Sequence, residues 1–246
     1  MSKIPKKPED VFPEMTVHLK QIFGEDLIAI LLYGSGAADG YIPGKTDLDF
    51  LVIITAEGMK RLDGLHDMIR RWRKRGITTP LIMTKPFLES ALDVYPIEFL
   101  TIQTHHVLVY GEDILSPLSF GRTCMRLQLE REIKGKLLHL RQGYVESEGR
   151  PKKLEELISI SLVAILSLFT AIIYLKGKPL PSNRQQVIRE ACELAGIVGD
   201  VFDRSFAVKK GTVKYDKKEM VSLFARYLEE IEKLDRFIDQ WEHDIN

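Results

Sequence analysis

The 246-residue sequence predicts an α/β (α+β) protein in two parts, a mixed sheet with flanking helices followed by an all-helical bundle. Three observations carry that expectation. Short apolar runs alternate with segments of helical spacing through the first 115 residues. Beyond YGEDILSPL at 110–118 the apolar spacing is helical throughout. The composition, 45% hydrophobic and 28% charged, is that of a globular chain long enough for one large domain or two small ones. The expected division gives 1–115 to the sheet domain and 116–246 to the bundle.

In order, residues 9–23 read as an amphipathic helix and 27–33 (LIAILLY) as a buried strand. The chain turns through 34–44 and returns as a second strand at 47–54 (DLDFLVII). A helix is expected over 57–75, because Met59, Leu62, Leu65, Met68, Ile69 and Trp72 fall on one face opposite the basic run RRWRKR. Residues 77–84 read as a third strand, 86–92 as a short helix and 97–103 (IEFLTIQ) as a fourth strand. Helices follow at 120–147, 151–176, 184–196 and 216–243, separated by GRP, GKPLP and KKGT.

Residues 157–175 form a 19-residue stretch without a charge, long enough to cross a bilayer. It also holds Ser159, Ser161, Ser167 and Thr170, and the centre of a helical bundle needs a helix that is apolar on all sides. The expectation is a core helix and no membrane role. Lys+Arg and Asp+Glu both number 35, so no net field draws the chain to nucleic acid or anionic lipid. The N-terminal MSKIPKKPED lacks the apolar core of a signal peptide. Cys124 and Cys192 match no metal or redox spacing. A cytoplasmic location is expected.

Three phosphate-binding signatures overlap in LLYGSGAADGYIPGKTDLDFLVI. A dinucleotide turn needs G-x-G-x-x-G opening a helix, but Gly34, Gly36 and Gly40 are spaced one residue too far. A P-loop needs its first Gly where Asp39 stands, and its GKT must lead into a helix. Here GKT leads into DLDFLVII, so a lysine there has no helix N-terminus behind it. The third pattern, Gly34–Ser35 followed by Asp47 and Asp49, fits its surroundings. The turn after a buried strand offers a hydroxyl and backbone N–H groups to a phosphate. Residues two apart on a strand share a face, so Asp47 and Asp49 converge while Leu48 and Phe50 enter the core. Converging carboxylates repel unless a cation lies between them, and Mg²⁺ suits such oxygen-rich sites. A tight turn or a solvated strand start explains either feature singly; together, at this spacing, they point to nucleotidyl transfer.

That stretch resembles the DNA polymerase β-like nucleotidyltransferases, whose mark is Gly-Ser followed by Asp-x-Asp on a strand. In wording it is most similar to the streptomycin/spectinomycin-type aminoglycoside nucleotidyltransferases, with Thr46 where those carry Ser. The resemblance implies a nucleotidyltransferase-type mixed sheet and transfer of a nucleoside monophosphate, AMP from ATP, to a hydroxyl of a small acceptor. It implies Gly34 and Ser35 as nucleotide-binding residues, Asp47 and Asp49 as Mg²⁺ ligands, and a third carboxylate on a later strand beside the aspartates. The matching position is Glu98, as general base or additional metal ligand. Two alternatives stay open: an antitoxin-type minimal nucleotidyltransferase that modifies or binds a protein, and a non-catalytic nucleotide-binding protein. A fused helical ribonuclease would carry Arg, four to six residues, then His; His139 has no such arginine, and Arg236 stands before His243 at the upper limit of that spacing.

Other residues draw attention and fit blander roles. His105 and His106 have no Cys or acidic partner at ligand spacing. Glu130 and Glu132 read as solvated helix charges, and RRWRKR at 70–75 as an exposed helix face.

Overall fold

The computed structural model describes residues 4–38, 40–181 and 183–243. Asp39, which stands where a P-loop needs its first Gly, and the side chain of His243 lie outside the described residues. The chain divides into two compact units, Met1–Val94 with Thr101–Ser119, and Tyr95–Leu100 with Phe120–Asn246.

The first unit is built on a four-stranded mixed sheet. Its strands are β1 (Leu27–Tyr33), β2 (Asp49–Ile54), β3 (Leu81–Met83) and β4 (His106–Gly111), in the order β3-β2-β1-β4. Strand β1 is antiparallel to β2 and β4, and β2 is parallel to β3. The inner strands are almost continuously apolar, as strands covered on both faces must be. Helix α1 (Phe12–Phe23) lays Met15, Leu19 and Phe23, spaced by four, into the core with Ile30, Leu32, Phe50 and Val52.

The expected helix at 57–75 is two pieces, a 3₁₀ stretch Gly58–Leu65 and helix α2 (His66–Arg73). The break has an identifiable cause. Arg61 donates to the carbonyls of Ile22 at 3.0 Å and Phe23 at 2.9 Å, and pairs with Asp26. It thus satisfies carbonyls that the end of α1 leaves without partners. Its backbone, at φ −114° and ψ 19°, departs from helical geometry. The third strand is shorter than expected because Pro80 offers no N–H to a ladder. Ahead of it only Ile77 pairs, with Leu48.

The expected strand at 97–103 is instead helical. Helix α3 (Lys85–Ala91) is followed by α4 (Pro96–Thr104), and the fourth strand is β4. Pro96 favours the first turn of a helix, and the buried Gln128 side chain accepts the Ile97 N–H at 2.9 Å. Ile97, Phe99, Leu100 and Ile102 are all buried, a pattern that strand alternation with Glu98 does not produce.

The second unit is helical: α5 (Arg122–Ser147), α6 (Pro151–Leu175), α7 (Arg184–Ala195), α8 (Asp200–Lys209) and α9 (Lys217–Asp239). Helix α8 was not expected from the sequence; it begins at Gly199 without a side-chain cap. By contrast Asn183 caps α7, and Asp216 with Glu219 forms a capping box on α9. Helix α6 is long and apolar enough to cross a membrane, and half of its most apolar window is buried in the protein. It packs against α5, α7, α8 and α9, and its Ser161 hydroxyl meets the buried Tyr227 hydroxyl at 3.0 Å.

Candidate active site

The candidate residues Gly34, Ser35, Asp47 and Asp49 stand at the end of β1 and the start of β2. Tyr33 and Asp49 are register partners across that pair. The two segments beyond them, 34–36 leaving β1 and 47–48 entering β2, therefore emerge side by side. Gly34 turns the chain at φ +70°, in the left-handed region that favours glycine. A Cβ on it would lie 3.6 Å from Asp49 Oδ2, so the turn backbone lies against that carboxylate. One 3₁₀ turn, Gly34–Gly36, follows, with the N–H groups of Ala37 and Ala38 donating to the Gly34 carbonyl at 3.1 and 3.0 Å. Gly36 is buried and tightly packed. A Cβ there would come within 2.8 Å of Leu48 Cδ2.

Asp47 is exposed and Asp49 half-buried, while Leu48 and Phe50 are fully buried in the core. The strand expected from 47 begins at Asp49, with Leu48 in an isolated bridge and Asp47 just ahead of it. Asp49 Oδ1 accepts the Thr78 hydroxyl at 2.8 Å. Burial, with the Asp49 charge adding to it, pushes the Tyr33 phenol up to about 12. Ser35 is exposed on the turn beside them. Thr46 closes the intervening loop. Its hydroxyl accepts the Ile42 N–H at 3.1 Å, and its own N–H donates to the Ile42 carbonyl at 3.0 Å. GKT passes through this loop into β2 and not into a helix.

Two carboxylates, one tethered by a neutral hydroxyl and one in solvent, fit Mg²⁺ in its common mode. That ion binds through one or two carboxylates and completes its shell with phosphate oxygens and water. Among the described residues no group of three or more His, Cys, Asp or Glu is gathered to hold a metal.

Glu98 is placed differently from its expectation. It lies in the first turn of α4, not on a strand, and its residues are grouped with the helical unit. Gln128 Nε2 donates to Glu98 Oε2 at 2.6 Å. The strand beside β2 is β3, and 77–84 (ITTPLIMT) contains no acid.

The remaining candidates are absorbed into structure. His106 does have an acidic partner, which the sequence spacing concealed. Its Nδ1 meets the Gln103 carbonyl at 2.8 Å and its Nε2 meets Asp113 at 3.2 Å. Burial opposes ionisation of Asp113, but hydrogen bonds from Ser116, His106 and Leu115 outweigh it and bring the carboxyl down to about 2. Glu130 pairs with Arg126 and Glu132 with Lys136, one helical turn apart. Within the basic run, Arg75 is mostly buried and pairs with Glu14 at 2.5 Å, so that run is not wholly a solvent face. Burial, reinforced by Glu230, pushes the Cys192 thiol up to about 12 and leaves it unreactive.

The mixed sheet with flanking helices and the helical part that follows make a nucleotidyltransferase-like fold. Among solved structures, the chain is similar to spectinomycin adenyltransferase AAD(9) from Enterococcus faecialis, crystallised with ATP and spectinomycin. The TM-score is 0.54 at 12% identity, over 94% of this chain and 98% of that one. No family model matches the sequence, and no curated protein is similar to it at a significant level.

Proposed function

We propose that this protein is a Mg²⁺-dependent nucleotidyltransferase that transfers AMP from ATP to a hydroxyl of a small acceptor in the cytoplasm. The observation that supports the reading is the Asp49 carboxylate at the head of β2 against the Gly34 turn, with the exposed Asp47 two residues before it. The structural similarity to an adenyltransferase crystallised with ATP and spectinomycin supports the choice of ATP and of an aminoglycoside-like acceptor.

In this reading Ser35 and the backbone of the Gly34 turn bind the distal phosphates. Asp47 and Asp49 would hold Mg²⁺, which would neutralise charge developing on the phosphates. The acceptor oxygen attacks the α-phosphorus as the bond to the bridging oxygen breaks, and pyrophosphate leaves with that electron pair. Glu98 is assigned the acceptor proton, with Oε1 as the receiving atom because Gln128 binds Oε2. In this reading the part expected at 1–115 binds the nucleotide and the part expected at 116–246 binds the acceptor.

A second reading, nucleotide binding without transfer, is favoured by the absence of any acid from 77–84 beside the aspartates. One experiment separates the two. Pyrophosphate release is measured with each NTP and Mg²⁺ against aminoglycosides, nucleotides and proteins, with mass spectrometry of the protein itself. ATP-dependent release with a labelled small-molecule product supports transfer. Tight Mg-ATP binding without release or label supports the second reading, and a labelled protein partner supports the antitoxin-type alternative.

A further inference from the structure

We propose that Thr78 is a positioning residue for the Asp49 carboxylate, and that 76–78 forms a clip holding both aspartates in register. The inference rests on the two-aspartate reading above and adds a residue that no motif in the sequence marks. Residues 76–78 run alongside the entry to β2. The Leu48 N–H donates to the Gly76 carbonyl at 2.8 Å, and the Thr78 N–H donates to the Leu48 carbonyl at 3.0 Å. These two bonds fix the backbone of the residue between the aspartates.

The clip then treats the two carboxylates differently. The single hydroxyl proton of Thr78 has two acceptors in range, Asp49 Oδ1 at 2.8 Å and the Leu48 carbonyl at 3.3 Å. It goes to the nearer, charged oxygen, because charge-assisted bonds are the shorter and stronger ones. Oδ1 is thereby held, and Oδ2 is the oxygen that lies toward the Gly34 turn. At the other end Gly76, at φ +74°, presents no side chain to Asp47, whose Oδ1 would lie 3.6 Å from a Cβ there. Asp47 stays open to solvent and Asp49 is pre-set. Orienting partners of this kind change metal affinity by about 10-fold to 100-fold when removed.

The test uses the full chain, Mn²⁺ as a paramagnetic probe and α,β-methylene-ATP as a nucleotide that cannot react at the α–β bridge. Mn²⁺–nucleotide affinity is measured by electron paramagnetic resonance for wild type, Thr78→Val, Thr78→Ser and Asp49→Asn, alongside thermal melting. Valine keeps the shape and loses the hydroxyl; serine keeps the hydroxyl and loses the methyl. The expected result is a loss of about 10-fold or more in Thr78→Val and near-wild-type affinity in Thr78→Ser. Wild-type affinity in Thr78→Val, or an equal loss in Thr78→Ser, overturns the proposal, the latter by assigning the effect to methyl packing. If Asp49→Asn binds as tightly as wild type, or wild type does not bind the pair at all, the two-aspartate reading fails and takes this one with it.

Discussion

Gly36→Ala tests the packing that sets the aspartates. The added methyl would stand 2.8 Å from Leu48 Cδ2 and 3.3 Å from Leu32 Cδ1. Carbon atoms settle at about 3.5–4.0 Å, so the closer contact is short by roughly 1 Å. The contacted Cδ2 is a terminal methyl, yet Leu48 is fully buried in the core cluster with Phe50, Trp72 and Ile77, so its displacement presses on packed neighbours. Overpacking of this size costs about 1–3 kcal/mol. For a chain of this length that lowers the melting temperature by about 2–4 °C per kcal/mol. Leu48 lies between the aspartates, so displacing it also misdirects them. Mn²⁺–nucleotide affinity is expected to fall by about 10-fold, since small misplacements at such sites are costly. Leu48→Val in the Gly36→Ala background removes the obstructing branch and should recover about 1 kcal/mol of coupling in a double-mutant cycle. Wild-type melting and affinity in Gly36→Ala would refute the argument that this contact fixes the turn against β2.

Three further outcomes are expected. Asp113→Asn should lower stability by about 1 kcal/mol at neutral pH, after discounting for its partial exposure. A lowered folded-state pKa stabilises above the ordinary carboxylate range, so this difference should persist at pH 7 and shrink as pH falls from about 4 toward 2 in acid titrations followed by circular dichroism. Glu98→Gln should bind Mg-ATP like wild type while transfer falls by about 10²-fold to 10⁴-fold, and an unchanged rate would remove Glu98 as the proton acceptor. The full chain should express in the detergent-free soluble fraction, and recovery of intact folded protein only from membranes would reverse the assignment of α6 as a core helix.

Strands β1 and β2 and helix α1 were legible because their burial follows one period that the sequence repeats without interruption. The turn at Gly34–Ser35 and the strand start at Asp49 were legible for the same local reason, while Asp47, expected on that strand, lies just ahead of it. Where distant partners decide, the sequence misleads. The β-branched and aromatic content of 97–103 suggested a strand, and a helix-favouring Pro96 with the Gln128 side chain, 31 residues from Ile97, outweighed it. The 57–75 helix gave way to the need of α1 for Arg61, which no window of periodicity contains. Thr78 reaches Asp49 across 29 residues through a parallel pairing, and an isolated threonine carries no signal of that. Asp113 stood seven residues from His106, beyond ligand spacing, until a strand end brought them together.

The central claim is tested most directly by Asp47→Asn and Asp49→Asn in the pyrophosphate-release assay with Mg-ATP and the acceptor that wild type uses. An amide cannot offset the charge of the ion, so each variant should keep its circular dichroism spectrum and lose Mg²⁺-dependent transfer. Near-wild-type release from either variant would contradict the account.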